Sequence, residues 1–394
     1  MAELDDRLRL LRAQCRAWAS ELRPHALALD HDPDTISQLL ELPAVRWSAR
    51  LQLPAAHNPR PLVLNGHRFF LTTATERVVF CEEIARGDLG MMLALPGGSM
   101  SGVLVGAVGD PSQQEWFYGR LLERPTWTFF ALTEPDGGSD ASTMQTTGAR
   151  AGSGPVVLTG AKRYVSNALR AAFGVVFYRT GTGPLGVQAA IVDGTAPGLR
   201  VEPIETIGVR GAQLGAITLD RVEVPPDRVL GRHLPAAQRG ARGWLRTFNL
   251  LRPTVASMGV GLAQSALDYV HEHRRALAPP ERDRLARLDR RVESVRRLTR
   301  AAAAAVDRDS GAGHLASAAK EAAARLAEHV SRQALTFFGT GARLAHPLLD
   351  KLARDALALE LMEGTGNIQR LAVFQAAVRG TLDVADVGPC STPT

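Results

Sequence analysis

Phe130-Ala131-Leu132-Thr133-Glu134-Pro135-Asp136-Gly137-Gly138-Ser139-Asp140 reads as a strand running into a glycine-rich turn. Pro135 stops the strand, because proline has no N–H to give to a ladder. Gly137 and Gly138 permit close backbone approach. Ser139 and the N–H groups of the turn can then face a phosphate or the edge of a ring. Pro-Asp-Gly-Gly is also a common surface turn, so the stretch alone leaves both readings open. Gly160-Ala161-Lys162-Arg163-Tyr164-Val165-Ser166-Asn167-Ala168 by itself would be an unexceptional strand. The two segments together, at this spacing, are specific.

Working outward, residues 125–232 contain short β-type runs cut by Gly, Pro and Asp: Val156-Val157-Leu158, Gly174 to Tyr178 and Ala189 to Val192. Ile217 to Pro225 alternates like a strand with one exposed face. Spacing near ten residues predicts a compact antiparallel sheet or barrel rather than βαβ units. Residues 1–124 read as helices, with an amphipathic start at Leu4, Leu8, Leu10 and Leu11 and a Pro-rich break from Pro54 to Pro61. Glu76 to Arg86 has apolar residues at 78, 79, 80 and 84 with charges opposite. The Gly/Ser-rich run Leu93 to Val105 fits a tightly packed helix pair or the wall of an acyl pocket. Residues 233–386 are helical again, and the last eight residues look frayed. Val255 to Val270, Leu285 to Ala305, Ala312 to Phe338 and Leu348 to Met362 have the periodicity of long amphipathic helices, which pack as a bundle. The expected domains are 1–124, 125–232 and 233–394.

A chain of 394 residues with 45% apolar and 22% charged content is an ordinary globular protein with room for a large core. Cys15, Cys81 and Cys390 show no metal or disulfide spacing, which points to a reducing compartment, the cytoplasm. There is no apolar run of membrane-spanning length, and the acidic N-terminus is not a signal peptide. The net charge of +6 comes with arginine in great excess over lysine. A basic surface steers acidic partners, although Arg and Ala richness also follows from a GC-rich genome. Basic runs interleaved with aromatics are missing, which argues against nucleic acid.

In Leu361-Met362-Glu363-Gly364-Thr365-Gly366-Asn367 a lone carboxylate sits at the end of an apolar run, beside a glycine. One reading is a helix end, with Gly364 as its cap. The other is a half-buried general base with raised pKa, suited to a weak carbon acid.

The paired segments resemble the signature of the acyl-CoA dehydrogenase family, Thr-Glu-Pro-x-x-Gly-Ser-Asp followed by Gly-x-Lys-x-x-Ile-(Ser/Thr)-Asn. The resemblance continues through Gly208-Val209-Arg210-Gly211, Val222-Glu223-Val224-Pro225, Leu230-Gly231, Arg252-Pro253, Gly259 to Asp268, Arg354-Asp355-Ala356 and Glu363-Gly364-Thr365. It implies an α+β, mainly α fold: an N-terminal helical domain, a middle antiparallel β domain and a C-terminal four-helix bundle. It implies FAD held between the middle sheet and the bundle. By position, Leu132 and Thr133 would contact the isoalloxazine edge, Gly138 and Ser139 the pyrophosphate side, and Tyr164 would stand where a Trp usually packs on the flavin. Ser166 would bond flavin N5, which gains negative charge as it accepts hydride. Glu363 falls at the catalytic base, which removes the proton α to a thioester carbonyl. Some relatives place the base one residue before the Arg of Arg-Pro, but that residue here is Leu251. Arg252 would position the base helix or bond the substrate, unless it is a buried structural pair. Gly364 and Ser139 would line the substrate, and Thr365 and Asn367 the cofactor.

The chain departs from the family pattern in places. Its Arg-Lys-x-Phe-Gly becomes His273-Arg274-Arg275-Ala276-Leu277, so Arg274 or Arg275 would supply the charge that grips a neighbouring subunit's FAD. Its Gln-x-x-Gly-Gly-x-Gly becomes Thr336-Phe337-Phe338-Gly339-Thr340-Gly341, with Thr336 and Gly339 at cofactor positions and Gln333 one turn back. The resemblance implies a homo-oligomer, and the altered motifs favour a dimer. The opening Trp127 to Pro135 and the composition look like the acyl-carrier-protein dehydrogenases of polyketide methoxymalonyl extender synthesis, enzymes of antibiotic pathways. The expected function is dehydrogenation of a small or hydroxylated acyl thioester on a carrier protein, with catabolic acyl-CoA dehydrogenation as the alternative. A flavin monooxygenase or oxidase is less favoured, since it needs no carbon-acid base.

Overall fold

The structure, a computed structural model, describes the backbone of residues 4–138, 143–150, 152–239 and 241–381. The chain has helical N- and C-terminal parts and a middle β domain. In order the elements are α1 (Asp6–Leu22), α2 (Ala26–His31), α3 (Pro43–Arg50), β1 (Leu62–Leu64), β2 (His67–Phe69), α4 (Ala74–Gly87), α5 (Leu89–Ala94), α6 (Ser99–Val108) and α7 (Pro111–Glu123). The strands β3 (Thr128–Ala131), β4 (Thr147–Arg150), β5 (Val156–Val165), β6 (Phe173–Arg179), β7 (Val187–Asp193), β8 (Leu199–Pro203) and β9 (Gly215–Val224) follow. The chain then runs through α8 (Ala236–Arg239), α9 (Ala241–His273), α10 (Pro279–Arg308), α11 (Gly313–Leu335), α12 (Ala342–Ala345), α13 (Pro347–Asp355), α14 (Ala358–Leu361) and α15 (Gly366–Val378). No helix among the described residues is long and apolar enough to cross a membrane.

Two compact units result: Met1–Ser20, Thr73–Leu89 and Asn249–Thr394 form one, and Glu21–Thr72 and Gly90–Phe248 the other. In the second unit seven strands pair in the order β3-β6-β4-β5-β9-β8, with β7 also on β6. The expected antiparallel pairing holds for β4–β5, β5–β9, β8–β9 and β6–β7. It fails for β3, which lies parallel to β6 with Phe130 opposite Val175, and for β4, which meets β6 in parallel at Thr147 and Arg179. The alternation of β6 sorts its side chains onto two cores. Val176 and Tyr178 join Leu158, Ile217, Leu219 and Val222 on one face. Phe173, Val175 and Phe177 join Leu104, Val105 and Phe117 of α6 and α7 on the other. Of the two readings for Leu93 to Val105, this favours the packed helix pair. Gly106, just after this run on α6, permits the approach: a Cβ there would stand 2.7 Å from the Tyr118 hydroxyl. Asp110 and Gln113 start α7 with a reciprocal capping box, with Pro111 in the first turn.

Residues 1–124 are not wholly helical as expected, for β1 and β2 form a hairpin. Its turn, Asn65-Gly66, has left-handed backbone at both positions (φ 45° and 81°), the geometry that Asn-Gly favours.

In the first unit α4 is buried on every side. The charges that the sequence sets opposite its apolar residues are therefore paired with arginines rather than hydrated. Glu83 takes Arg12 at 2.6 Å and Arg16 at 3.1 Å, and Glu82 takes Arg296 at 2.6 Å. The single helix expected over 348–362 is broken into α13 and α14 by the turn at Ala356-Leu357. Lys351 on α13 is buried, its Nζ 2.6 Å from both Asp88 Oδ2 and Asp355 Oδ2. Removing one member of such a buried set costs about 3–5 kcal/mol, because charge of one sign is left behind. Lys351→Met is expected to lose about that much, read as a lowered midpoint in urea unfolding. An unchanged midpoint would show that the two carboxylates do not need the ammonium.

Candidate active site

In the sheet unit the strand end at β3 is held from β5. Arg163 N–H donates to Thr133 O at 2.8 Å. The buried Lys162 ammonium donates to Leu132 O at 3.1 Å and to Glu134 Oε1 at 2.9 Å. Glu134 also accepts from the N–H groups of Gln145 and Thr146. These bonds outweigh burial and hold its carboxyl below the ordinary range, while burial draws Lys162 down to about 8 against the pull of Glu134. The pair is therefore ionic at neutral pH. The turn that follows leaves a cavity of about 260 Å³ lined by Leu132, Gly137, Gly138, Met144, Gln145 and Ala161, among others. A Cβ on Gly138 would crowd Thr133, lying 3.0 Å from its Cγ2. Ser139 lies outside the described residues. At the end of β5 the Tyr164 ring is 55% exposed on left-handed backbone (φ 60°). Tyr164 is thus not a core aromatic. Ser166 is half-buried, and the buried Asn167 Oδ1 has no hydrogen-bond partner.

In the helical unit Glu363 and Gly364 form the turn between α14 and α15, both on left-handed backbone (φ 49° and 95°). For a residue with a Cβ this conformation costs roughly 1–2 kcal/mol, so it persists only where the surroundings impose it. Lys320 on α11 donates to Glu360 O at 2.8 Å and to Gly364 O at 2.7 Å. Gln369 Nε2 donates to Glu363 O and Gly364 O, each at 2.9 Å. The Glu360 carboxylate accepts from Gly366 N–H at 2.7 Å. It does the work of an N-cap, since the Thr365 side chain makes no cap bond. Glu363 as a residue is half-buried, but its carboxyl is set deep, and burial pushes its pKa up to about 7 against the lowering pull of Lys320 and then Arg252. Arg252 is buried, donates to Asn249 Oδ1 at 3.2 Å and Ser317 Oγ at 3.3 Å, and keeps a buried Nε without a partner.

Glu363, Gly364, Thr365 and Arg252 therefore share one neighbourhood. Arg274, Thr336 and Gly339 belong to another part of this unit. Arg274 donates to Phe337 O and to Glu281 at 3.0 Å, and the Thr336 hydroxyl donates to Gln333 O at 2.7 Å. Gly339 turns on left-handed backbone, and Asn367 is exposed at the start of α15.

Residues 129–222 match the family described as acyl-CoA dehydrogenase, middle domain, and residues 238–378 match acyl-CoA dehydrogenase, C-terminal domain. The chain belongs to the acyl-CoA dehydrogenase family. Cyclohexane-1-carbonyl-CoA dehydrogenase of Geobacter metallireducens is 30% identical over 311 residues, 76% of this chain and 80% of that one. The mitochondrial short-chain specific acyl-CoA dehydrogenase of Homo sapiens is 29% identical over 94% of this chain and 90% of that one. Among solved structures, the prolyl acyl carrier protein oxidase AnaB superposes with a TM-score of 0.81 at 19% identity, over 95% of this chain and all of that one. As an acyl-CoA dehydrogenase the protein is an oxidoreductase, and FAD is its cofactor. The residues present fit that group. The sheet unit offers a pinned strand end, a glycine turn, an exposed aromatic ring and a half-buried hydroxyl.

Lys320, Gln369 and Glu360 were not singled out by sequence reasoning. The available signal was a lysine set in the alanine stripe of α11, one turn after Ser317. Glu134 and Lys162 were read only as letters of a motif, yet their ion pair fixes the strand end.

The raised Glu363 pKa makes stability pH-dependent. Between its ordinary value of 4.5 and about 7 the folded chain holds a proton that the unfolded chain has released. Stability therefore falls as pH rises through this window, and the loss is complete above it. At 1.36 kcal/mol per pH unit the loss is on the order of 3 kcal/mol. Glu363→Gln cannot ionise and escapes it. The variant is expected to match wild type near the lower limit of the window and to exceed it by up to about 3 kcal/mol above the upper limit, in urea unfolding at each pH. A difference that does not change with pH would mean that the carboxyl titrates at its ordinary value.

Proposed function

We propose that Glu363 is the general base of an acyl thioester dehydrogenation. The carrying observation is its deep carboxyl with a pKa near 7, on a turn held by hydrogen bonds from α11 and α15. A base of this strength is about half ionised at neutral pH and strong enough to take a proton α to a thioester carbonyl. The Glu363 carboxylate takes that proton, and the bond to the β-carbon becomes a double bond as the β-hydrogen departs with its electron pair. FAD, when bound, supplies the acceptor for that hydride. Leu132, Thr133, Gly138, Ser139, Tyr164 and Ser166 are assigned to hold the cofactor from the sheet, with Arg274, Thr336, Gly339, Thr365 and Asn367 from the helices. Arg252, Gly364 and Ser139 are assigned to the substrate, with the Arg252 Nε as a donor in waiting. The three-domain division at 124 and 232 goes with this reading, as does a homodimer. The stripe Leu371, Phe374 and Val378 exposed along α15 supports a partner surface.

We further propose that the acyl group is small or hydroxylated and rides on an acyl carrier protein in polyketide extender-unit synthesis. The +6 charge suits an acidic carrier, and the fold is shared with a carrier-protein oxidase. A second reading, a catabolic enzyme acting on coenzyme A thioesters, is favoured by the names of the curated relatives.

Anaerobic mixing tests both levels. Glu363→Gln is expected to keep FAD but bleach it on the order of a thousandfold more slowly; near-wild-type bleaching would remove Glu363 from the mechanism. With wild type, butanoyl carried on an acyl carrier protein is expected to bleach the flavin faster than butanoyl-CoA, by a margin that shrinks with added salt. Full reactivity with butanoyl-CoA and none with the carrier form would establish the catabolic reading.

A further inference from the structure

We propose that Lys320 is the positioning residue of the base: its ammonium ties the backbone on both sides of Glu363 to α11 and so fixes the carboxyl where it works. The inference rests on the reading of Glu363 as base and concerns what holds it there. Glu360 O and Gly364 O bracket Glu363 in the chain, and one Nζ reaches both, at 2.8 and 2.7 Å. Lys320 itself is fully buried on a 23-residue helix, so the anchor is a rigid element. Gln369 gives the same turn a second, uncharged tie through Glu363 O and Gly364 O. Together they impose left-handed backbone on Glu363, which carries a Cβ and would leave that conformation if released.

The ammonium also acts on the carboxyl through space. The charged groups acting on Lys320 are Glu360 of α14, Glu363 of the turn, Arg252 of α9 and Glu321 of its own helix; those acting on Glu363 are Lys320 and Arg252. Removing the Lys320 charge leaves Arg252 alone to favour the ionised carboxyl, so Glu363 should hold its proton to higher pH. A lysine that merely filled the core would have no such effect.

Lys320→Gln and Gln369→Leu separate the two actions. Glutamate carboxyls are isotope-labelled for NMR, and the Glu363 signal is the one missing from Glu363→Gln. In Lys320→Gln the Glu363 titration is expected to move up by about one pH unit or more. Bleaching by butanoyl-CoA is expected to slow by about a hundredfold, the scale of a small misplacement of a reacting group, with FAD content retained. Gln369→Leu is expected to slow bleaching while leaving the titration in place. A Lys320→Gln enzyme with an unmoved titration and wild-type bleaching overturns the proposal. If Lys320→Gln does not fold, wild-type bleaching by Gln369→Leu overturns it, and slowed bleaching with an unmoved titration supports it. Should Glu363→Gln itself bleach normally, the reading of the base fails, whatever Lys320 does.

Discussion

Burial of the Glu363 carboxyl sets the terms for the helical unit. Its ionised form loses hydration, and that loss outweighs the attraction of Lys320 and Arg252, leaving the pKa near 7. The balance is narrow in both directions. A closer cation would leave a carboxylate too weak to take a carbon-bound proton. Without either cation the carboxyl would stay protonated through neutrality and could take nothing. The same two cations direct their hydrogen bonds elsewhere than to the carboxyl. Lys320 spends its hydrogen bonds on backbone carbonyls, and Arg252 gives two of its own to Asn249 and Ser317. Each acts on Glu363 as a charge at a distance.

The chain holds three lysines against 43 arginines, and all three lysines are buried. Arginine is buried elsewhere, at Arg77, Arg252 and Arg296, yet these three positions hold lysine, and the reason is geometric. Each Nζ is a compact point of charge reached by two oxygens: Leu132 O and Glu134, Glu360 O and Gly364 O, Asp88 and Asp355. A guanidinium spreads its donors over a planar fork and needs more room than such a closed junction gives. Two of these junctions bind the carbonyls of Leu132 and Gly364, so the same device fixes a strand end in one unit and the Glu363 turn in the other.

Local chemistry made part of this legible in the sequence. The Thr133-Glu134-Pro135 stop, the Gly137-Gly138 turn and the Glu363-Gly364 break each act within a few residues and were read where they stand. Asn65-Gly66 was equally local, but its flanking strands are only three residues each and show no alternation to accompany the turn. The direction of β3 against β6 was out of reach, since side chains alternate identically in parallel and antiparallel strands. The break between α13 and α14 was hidden because apolar spacing continues across Ala356-Leu357. Lys320 could be placed on the apolar face of α11, but the carbonyls it binds lie 40 and 44 residues further on.

The altered motifs after α9 and α11 are tied to each other within one chain. Arg274 donates to Phe337 O and pairs with Glu281, whose carboxylate also accepts from Ala278 N–H at the start of α10. The buried Phe337 ring lies 4.0 Å from the Arg284 guanidinium. A segment that has lost the family's Phe-Gly and its leading Gln is thus closed by a carbonyl, a carboxylate and a ring from its own helices. The consequence is energetic. An arginine exposed to water gives up hydration when it binds a phosphate, whereas Arg274 would also have to share or release Glu281. Half-exposed ion pairs of this kind are worth only about 1 kcal/mol or less, so the exchange is within reach of a doubly charged ligand. An anion that approached Arg274 would compete with the Glu281 carboxylate already paired to it.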